Sequence, residues 1–168
     1  MWYVTNQKNG VSARGLQPVL GLGSYHTAWA WLHKLRRAMV RPGRDKLSGT
    51  IECDESFIGG KHEGKRGRGS ENKAIVIIAA QQDGKRMGRI RLKHIEDASA
   101  NSIETAIEEM ILQGSTIYTD AWPSYNGLTK KGYNHKVIRD DGTLGDNLLP
   151  LCHRVSSLLK RWLLGTHQ

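Results

Sequence analysis

The sequence predicts an α/β protein in which a mixed sheet flanked by helices follows a small helical segment. Three observations carry that reading. Ala74-Ile75-Val76-Ile77-Ile78-Ala79-Ala80 is an unbroken apolar run, the pattern of a strand buried on both faces. Asp83-Gly84 is a hairpin signal, and Gly88-Arg89-Ile90-Arg91-Leu92 alternates as its return strand. From Ser99 onward, helix-like and strand-like stretches take turns, which is the layout of a sheet covered by helices.

Taken in order, residues 1–50 read as two helices. Ser12 is placed to cap a first helix through Leu16, Val19 and Leu20; Gly21-Leu22-Gly23 breaks it, and Ser24 is a good cap for a second. There Ala28, Trp31, Leu32, Leu35 and Met39 recur at three- and four-residue spacing as one apolar stripe, with His33, Lys34, Arg36 and Arg37 mainly off it. A short helix, a tight turn and a basic helix fit a helix-turn-helix-like DNA-binding element; an ordinary helical hairpin with a solvated basic face fits as well. Arg41-Pro42-Gly43-Arg44 ends the helix, giving a segment 1–47 and a domain 48–168.

Ile51–Ile58 reads as a strand ending at Gly59-Gly60. Ser99 through Leu112 reads as a helix that turns Ile103, Ala106, Ile107, Met110 and Ile111 inward, with Glu104, Glu108 and Glu109 as solvated surface. Thr116–Asp120 is a short strand with its carboxylate at the end, and Pro123 suits the first turn of a following helix. His135–Ile138 is the last strand. From Pro150 a helix buries Val155, Leu158, Leu159, Trp162 and Leu163.

Bulk composition narrows the function. The chain has 168 residues, 24% charged and 38% hydrophobic, with no run approaching the roughly 18 apolar residues of a membrane helix. Its two cysteines, Cys53 and Cys152, lie far apart without CxxC spacing, which argues against a zinc ribbon or disulfide scaffold and for a reducing cytosol. The net charge is +9, of which residues 1–50 supply +7: Lys8, Arg14, Lys34, Arg36, Arg37, Arg41, Arg44 and Lys46 stand against Asp45 alone. That balance points to a polyanionic partner, most simply nucleic acid, expected without a membrane; membrane-surface binding is the competing reading, which should show as a basic amphipathic helix with a broad apolar face.

The chemistry is concentrated in the strand at 51–58. Alternation puts Glu52 and Asp54 on one face, with Cys53 and Glu55 on the other. Carboxylates inside a buried strand cost desolvation energy unless paired, and a hard divalent cation is an apt partner; the wet face of an edge strand is the alternative. Lys61 to Ser70 follows, glycines interleaved with Lys65, Arg66 and Arg68, a positive loop able to track a phosphate backbone or simply a surface hairpin loop. It lacks the spacing of a P-loop. The ribonuclease H-like fold is one arrangement that fits the order of elements. It sets the first strand beside the strand ending in Asp120, so that Asp54 and Asp120 meet as a half-shell for one or two Mg2+ ions. Two ions about 3.5–4 Å apart would flank a scissile phosphate.

With these pieces in place, IECDESFIGGKHEGKRGRG, GSTIYTDAWPSYNGL, GYNHKVI and HRVSSLLKRWLLGTHQ together resemble a bacterial insertion-sequence transposase of the ISXO-like group, in the DDE transposase and integrase superfamily. The segment VLGLGSYHTAWAWLHKLRRAM resembles the group's linker and helix-turn-helix region. The resemblance implies a ribonuclease H-like core, metal-dependent strand cleavage at inverted repeats, and strand transfer into target DNA. By position it assigns Asp54 and Asp120 as the first two catalytic, metal-binding aspartates, and puts His153 at the third acidic position. Lys160 matches the basic residue seven further on; in a helix the two share a face about 10 Å apart.

Neutral imidazole is a poorer Mg2+ ligand than carboxylate and is better suited to Mn2+ or Zn2+, so the cofactor is expected to be Mg2+ or Mn2+. A histidine merely lining the helix start is the other reading of His153, with Glu52 as a substitute carboxylate. Cys53 and Cys152 flank the proposed ligands and are read as packing. The candidate DNA contacts are Lys34, Arg36, Arg37, Lys65, Arg66, Arg68, Lys160 and Arg161. A homodimer on transposon ends and target DNA is implied, in the bacterial cytoplasm at the nucleoid.

Two departures stand out. The group begins with a cysteine-rich zinc ribbon absent here, and continues beyond the third-ligand helix; a C-terminally truncated copy is therefore expected. Two alternatives stay open: an inactive remnant that only binds DNA, and a ribonuclease H-like nuclease of repair or RNA processing.

Overall fold

The computed structural model describes residues 1–41, 43–59, 73–139 and 148–166. The chain divides into two compact units, one of Met1–Asp45 with Ser157–Gln168, the other of Lys46–Ser156.

The first unit contains α1 (Trp2–Thr5), α2 (Ala13–Val19) and α3 (Tyr25–Met39). Ser12 caps α2 by accepting the Gly15 amide, whereas Ser24 stands at the cap position of α3 without a side-chain bond. Gly21, at φ +62°, makes the left-handed turn between the two helices that a residue with a Cβ rarely adopts. Val4, Val11, Ala13, Leu16 and Leu32 form the local core, with Leu35 and Met39 against it. The expected stripe is thus met except at Trp31, which is 46% exposed. The short α1 has no counterpart in the sequence reading.

In the second unit, β1 (Thr50–Ile58), β2 (Ala74–Asp83) and β3 (Arg86–Ile95) form an antiparallel meander. Then come α4 (Ala100–Met110), β4 (Thr116–Thr119), a 3₁₀ helix (Pro123–Thr129), β5 (Asn134–Val137) and α5 (Pro150–Thr166), which runs on into the first unit. The sheet order is β3-β2-β1-β4-β5, with β4 parallel to both β1 and β5. Parallel pairing of β1 with β4 requires a long crossover, which the β2–β3 hairpin and α4 together supply. This is the mixed, helix-flanked sheet expected from the sequence.

Two cores cover the two faces. Ile51, Cys53, Ile77, Ala79 and Ile117 meet α4 and the 3₁₀ helix through Ile103, Ile107, Tyr125 and Leu128. Ile78 and Ala80 meet the start of α5 through Leu149, Cys152 and Val155. The central residues of β2, Ile77 to Ala80, are consequently buried on both faces.

Two local expectations differ from the structure. Glu104 is not a solvated acid: its side chain is 15% exposed and lies 3.4 Å from Lys131. Gly127 lets this carboxyl approach, since a Cβ there would sit 1.8 Å from Glu104 Oε1. Leu158 is 46% exposed rather than part of the buried stripe.

Candidate metal centre

β1 is interior to the sheet, and its alternation carries two different acidic environments. Glu55 faces the α4 side, is buried, and accepts a 2.7 Å hydrogen bond from the Tyr125 hydroxyl. Burial first, and Glu55 second, push the Tyr125 phenol well above its ordinary range, so it remains a donor. Glu52 and Asp54 face the α5 side.

Asp54 lies at the heart of this face. Its Oδ2 is 3.7 Å from Nε2 of His153, one turn into α5. Its carboxyl is pushed up to about 6, chiefly by burial and next by Glu55; His153 pulls it down, and Asp120 adds a smaller upward push. Asp120 follows β4 directly, and its Oδ1 accepts the Trp122 amide at 3.1 Å as the chain turns into the 3₁₀ helix. The β1–β4 register pairs Glu52 with Tyr118. Asp54 lies two residues beyond Glu52 on β1, and Asp120 two residues beyond Tyr118, just past the end of β4.

Glu52, on the same face as Asp54, is engaged by the start of α5. Its Oε2 accepts the backbone amides of Leu151 at 2.8 Å and Cys152 at 3.1 Å, at the start of α5. Burial raises its carboxyl, and those two amides together with His153 pull it back. Cys53 and Cys152 are both free and buried, and burial drives both thiols upward, which keeps them unreactive packing groups.

Asp54 and His153 are therefore in contact, and Asp120 is in electrostatic reach of Asp54. Among the described residues, no three His, Cys, Asp or Glu side chains already converge as a metal-holding group. The donors nonetheless suit a divalent cation: two carboxylates for a hard ion and an imidazole that favours Mn2+ over Mg2+. A cation at Asp54 would also reverse the burial and like-charge cost that raises its carboxyl.

Lys160 and Arg161 lie about two turns beyond His153 on α5, both exposed. Lys34 and Arg37 are exposed on α3. Arg36 is not on that open face: its Nη2 donates to the Val11 carbonyl at 3.2 Å and its guanidinium sits 5.4 Å from the Trp162 ring centroid. Burial lowers its pKa. Lys65, Arg66 and Arg68 lie outside the described residues. The Glu55–Tyr125 and Glu52–α5 ties escaped the sequence reading because the partners are 70 to 100 positions apart with no local pattern between them.

A five-stranded mixed sheet with this strand order and helices on both faces is a ribonuclease H-like α/β fold. The ISXO2-like transposase domain matches residues 46–168, and the chain belongs to that family. Among solved structures the chain is similar to the catalytic core domain of BIV integrase, at 13% identity and a TM-score of 0.45, over 73% of this chain and 76% of that one. No curated protein matches it.

Proposed function

We propose that this protein is a DNA transposase whose core cleaves DNA strands at inverted repeats and joins them to target DNA, using a divalent cation held by Asp54, Asp120 and His153. The observation that carries the reading is the 3.7 Å approach of His153 to a largely buried Asp54 on β1, with Asp120 directly after β4, the adjoining parallel strand. When bound, such a cation supplies Lewis-acid stabilisation of the charge that develops on phosphate oxygens.

The chain's own residues do the rest. Asp54 presents carboxylate oxygens from the central strand and Asp120 from the end of its neighbour, and the burial of Asp54 keeps competing water few. His153 presents Nε2 from α5. Lys160 and Arg161, further along that helix, neutralise DNA phosphates, and Lys34 and Arg37 do the same from segment 1–47. Lys65, Arg66 and Arg68, in the Gly-rich stretch after β1, track the backbone. Arg36 supports α3 rather than touching DNA. Holding two transposon ends together calls for a homodimer, in the bacterial cytoplasm at the nucleoid, with Mg2+ or Mn2+ as cofactor.

The test is cleavage of a duplex carrying the element's terminal repeat, with Mg2+ or Mn2+ and with chelator. Wild type should cut only with metal, and Asp54→Asn and Asp120→Asn should each abolish cutting. Cleavage by both variants at the wild-type rate would reject the reading. Salt-sensitive binding without metal-dependent turnover would identify a DNA-binding remnant instead, and cutting of RNA–DNA hybrids without end preference a nuclease.

A further inference from the structure

We infer that Glu52 is a positioning residue, which caps the start of α5 and so holds His153 against Asp54. The inference rests on reading Asp54 and His153 as ligands of one cation.

The first amides of a helix have no partner within it. In α5 Pro150 has no N–H to satisfy, and Leu149, just before it, has no side-chain acceptor. The amides of Leu151 and Cys152 instead both reach one oxygen, Oε2 of Glu52, at 2.8 and 3.1 Å. The next amide along, that of His153, donates to the Leu149 carbonyl at 2.9 Å. His153 is thus the first residue beyond the two that Glu52 grips.

Glu52 and Asp54 are two positions apart on the same face of β1, so the grip fixes the helix start to the strand beside the Asp54–His153 contact. A carboxylate at a helix N-terminus is also favoured by the helix dipole. With two amides on Oε2, that oxygen is engaged in orienting the helix. Groups that orient ligands in this way typically govern metal affinity about 10- to 100-fold.

The experiment uses the full chain and Mn2+ as probe, with free Mn2+ read by electron paramagnetic resonance and backbone exchange at Leu151 and Cys152 read by NMR. Wild type should bind Mn2+ and Asp54→Asn should not; if they behave alike, the reading of the site fails, whatever Glu52 does. Given that difference, Glu52→Ala should weaken Mn2+ binding about 10-fold or more and speed exchange at both amides. Glu52→Gln, whose amide oxygen still accepts, should stay within about 3-fold of wild type. Unchanged Mn2+ affinity in Glu52→Ala would overturn the inference. So would an equal loss in Glu52→Gln, which would make Glu52 a direct ligand. If Glu52→Ala does not fold, Glu52→Asp, one methylene too short to reach both amides, replaces it with the same expected loss.

Discussion

Replacing Asp54 by asparagine should stabilise the metal-free protein while removing its chemistry. The Asp54 side chain is 19% exposed, and its carboxyl is raised from 3.8 to about 6, by burial before any other cause. A raised carboxyl means that the folded state holds the proton more tightly than the unfolded chain. The folded state is therefore not penalised below about pH 4, loses stability as pH climbs from there to about 6, and bears the whole cost above it. A shift of this size corresponds to a cost of ~3 kcal/mol at neutral pH. Asparagine keeps the shape and carries no charge at any pH. For a chain of this length each kcal/mol moves Tm by about 2–4 °C, so Asp54→Asn should melt roughly 6–12 °C above wild type at pH 7.5 in chelator. The gap should close by pH 4. Added Mn2+ should raise the wild-type Tm and leave the variant unmoved. Scanning calorimetry over a pH series reads all three effects. A variant that melts below wild type at pH 7.5, or a gap that is the same at pH 4, would refute the reasoning.

Two further outcomes follow from other contacts. Tyr125→Phe deletes the 2.7 Å hydrogen bond to the buried Glu55 and should cost about 1.5–3 kcal/mol, read as a lower urea midpoint with an unchanged slope. Since the 3₁₀ helix that holds Tyr125 begins just after Asp120, the variant should also slow metal-dependent cleavage; an unchanged midpoint would show that the pair contributes nothing. Arg36→Ala removes both the bond to Val11 and the packing on Trp162 and should destabilise the helical unit by ~1–2 kcal/mol, whereas Arg37→Ala, at an exposed site, should stay within about 0.5 kcal/mol in the same denaturation curves.

Much of the fold is legible in local pattern, because strands and helices bury residues at fixed periods. Alternation at Gly88–Leu92, the apolar run at Ala74–Ala80 and the three- and four-residue spacing at Ile103–Met110 each lie within an observed element. Ser12 and Ser99 cap their helices because a hydroxyl one residue before a helix reaches amides only a few positions away. Such signals are written within a few residues of each other.

Facing partners are not written that way. Alternation places Glu52 and Asp54 on one face of β1 and makes them look like equals. Only the packing of α5, a hundred residues later, turns Glu52 into a helix cap and brings His153 to Asp54. Arg36 reads as one of a basic row until Trp162 lies against it, and Glu104 reads as wet until Lys131 and Gly127 close over it.

Sequence by itself determined which residues share a face, the order of strands and helices, and that Asp54 and Asp120 sit where a sheet can join them. Tertiary structure decided what each face meets: Glu52 is bound to backbone amides at the start of α5, and Asp54 lies against His153. The physical reason is that periodicity is a property of one element, whereas the burial and pairing of a charge depend on the element packed against it.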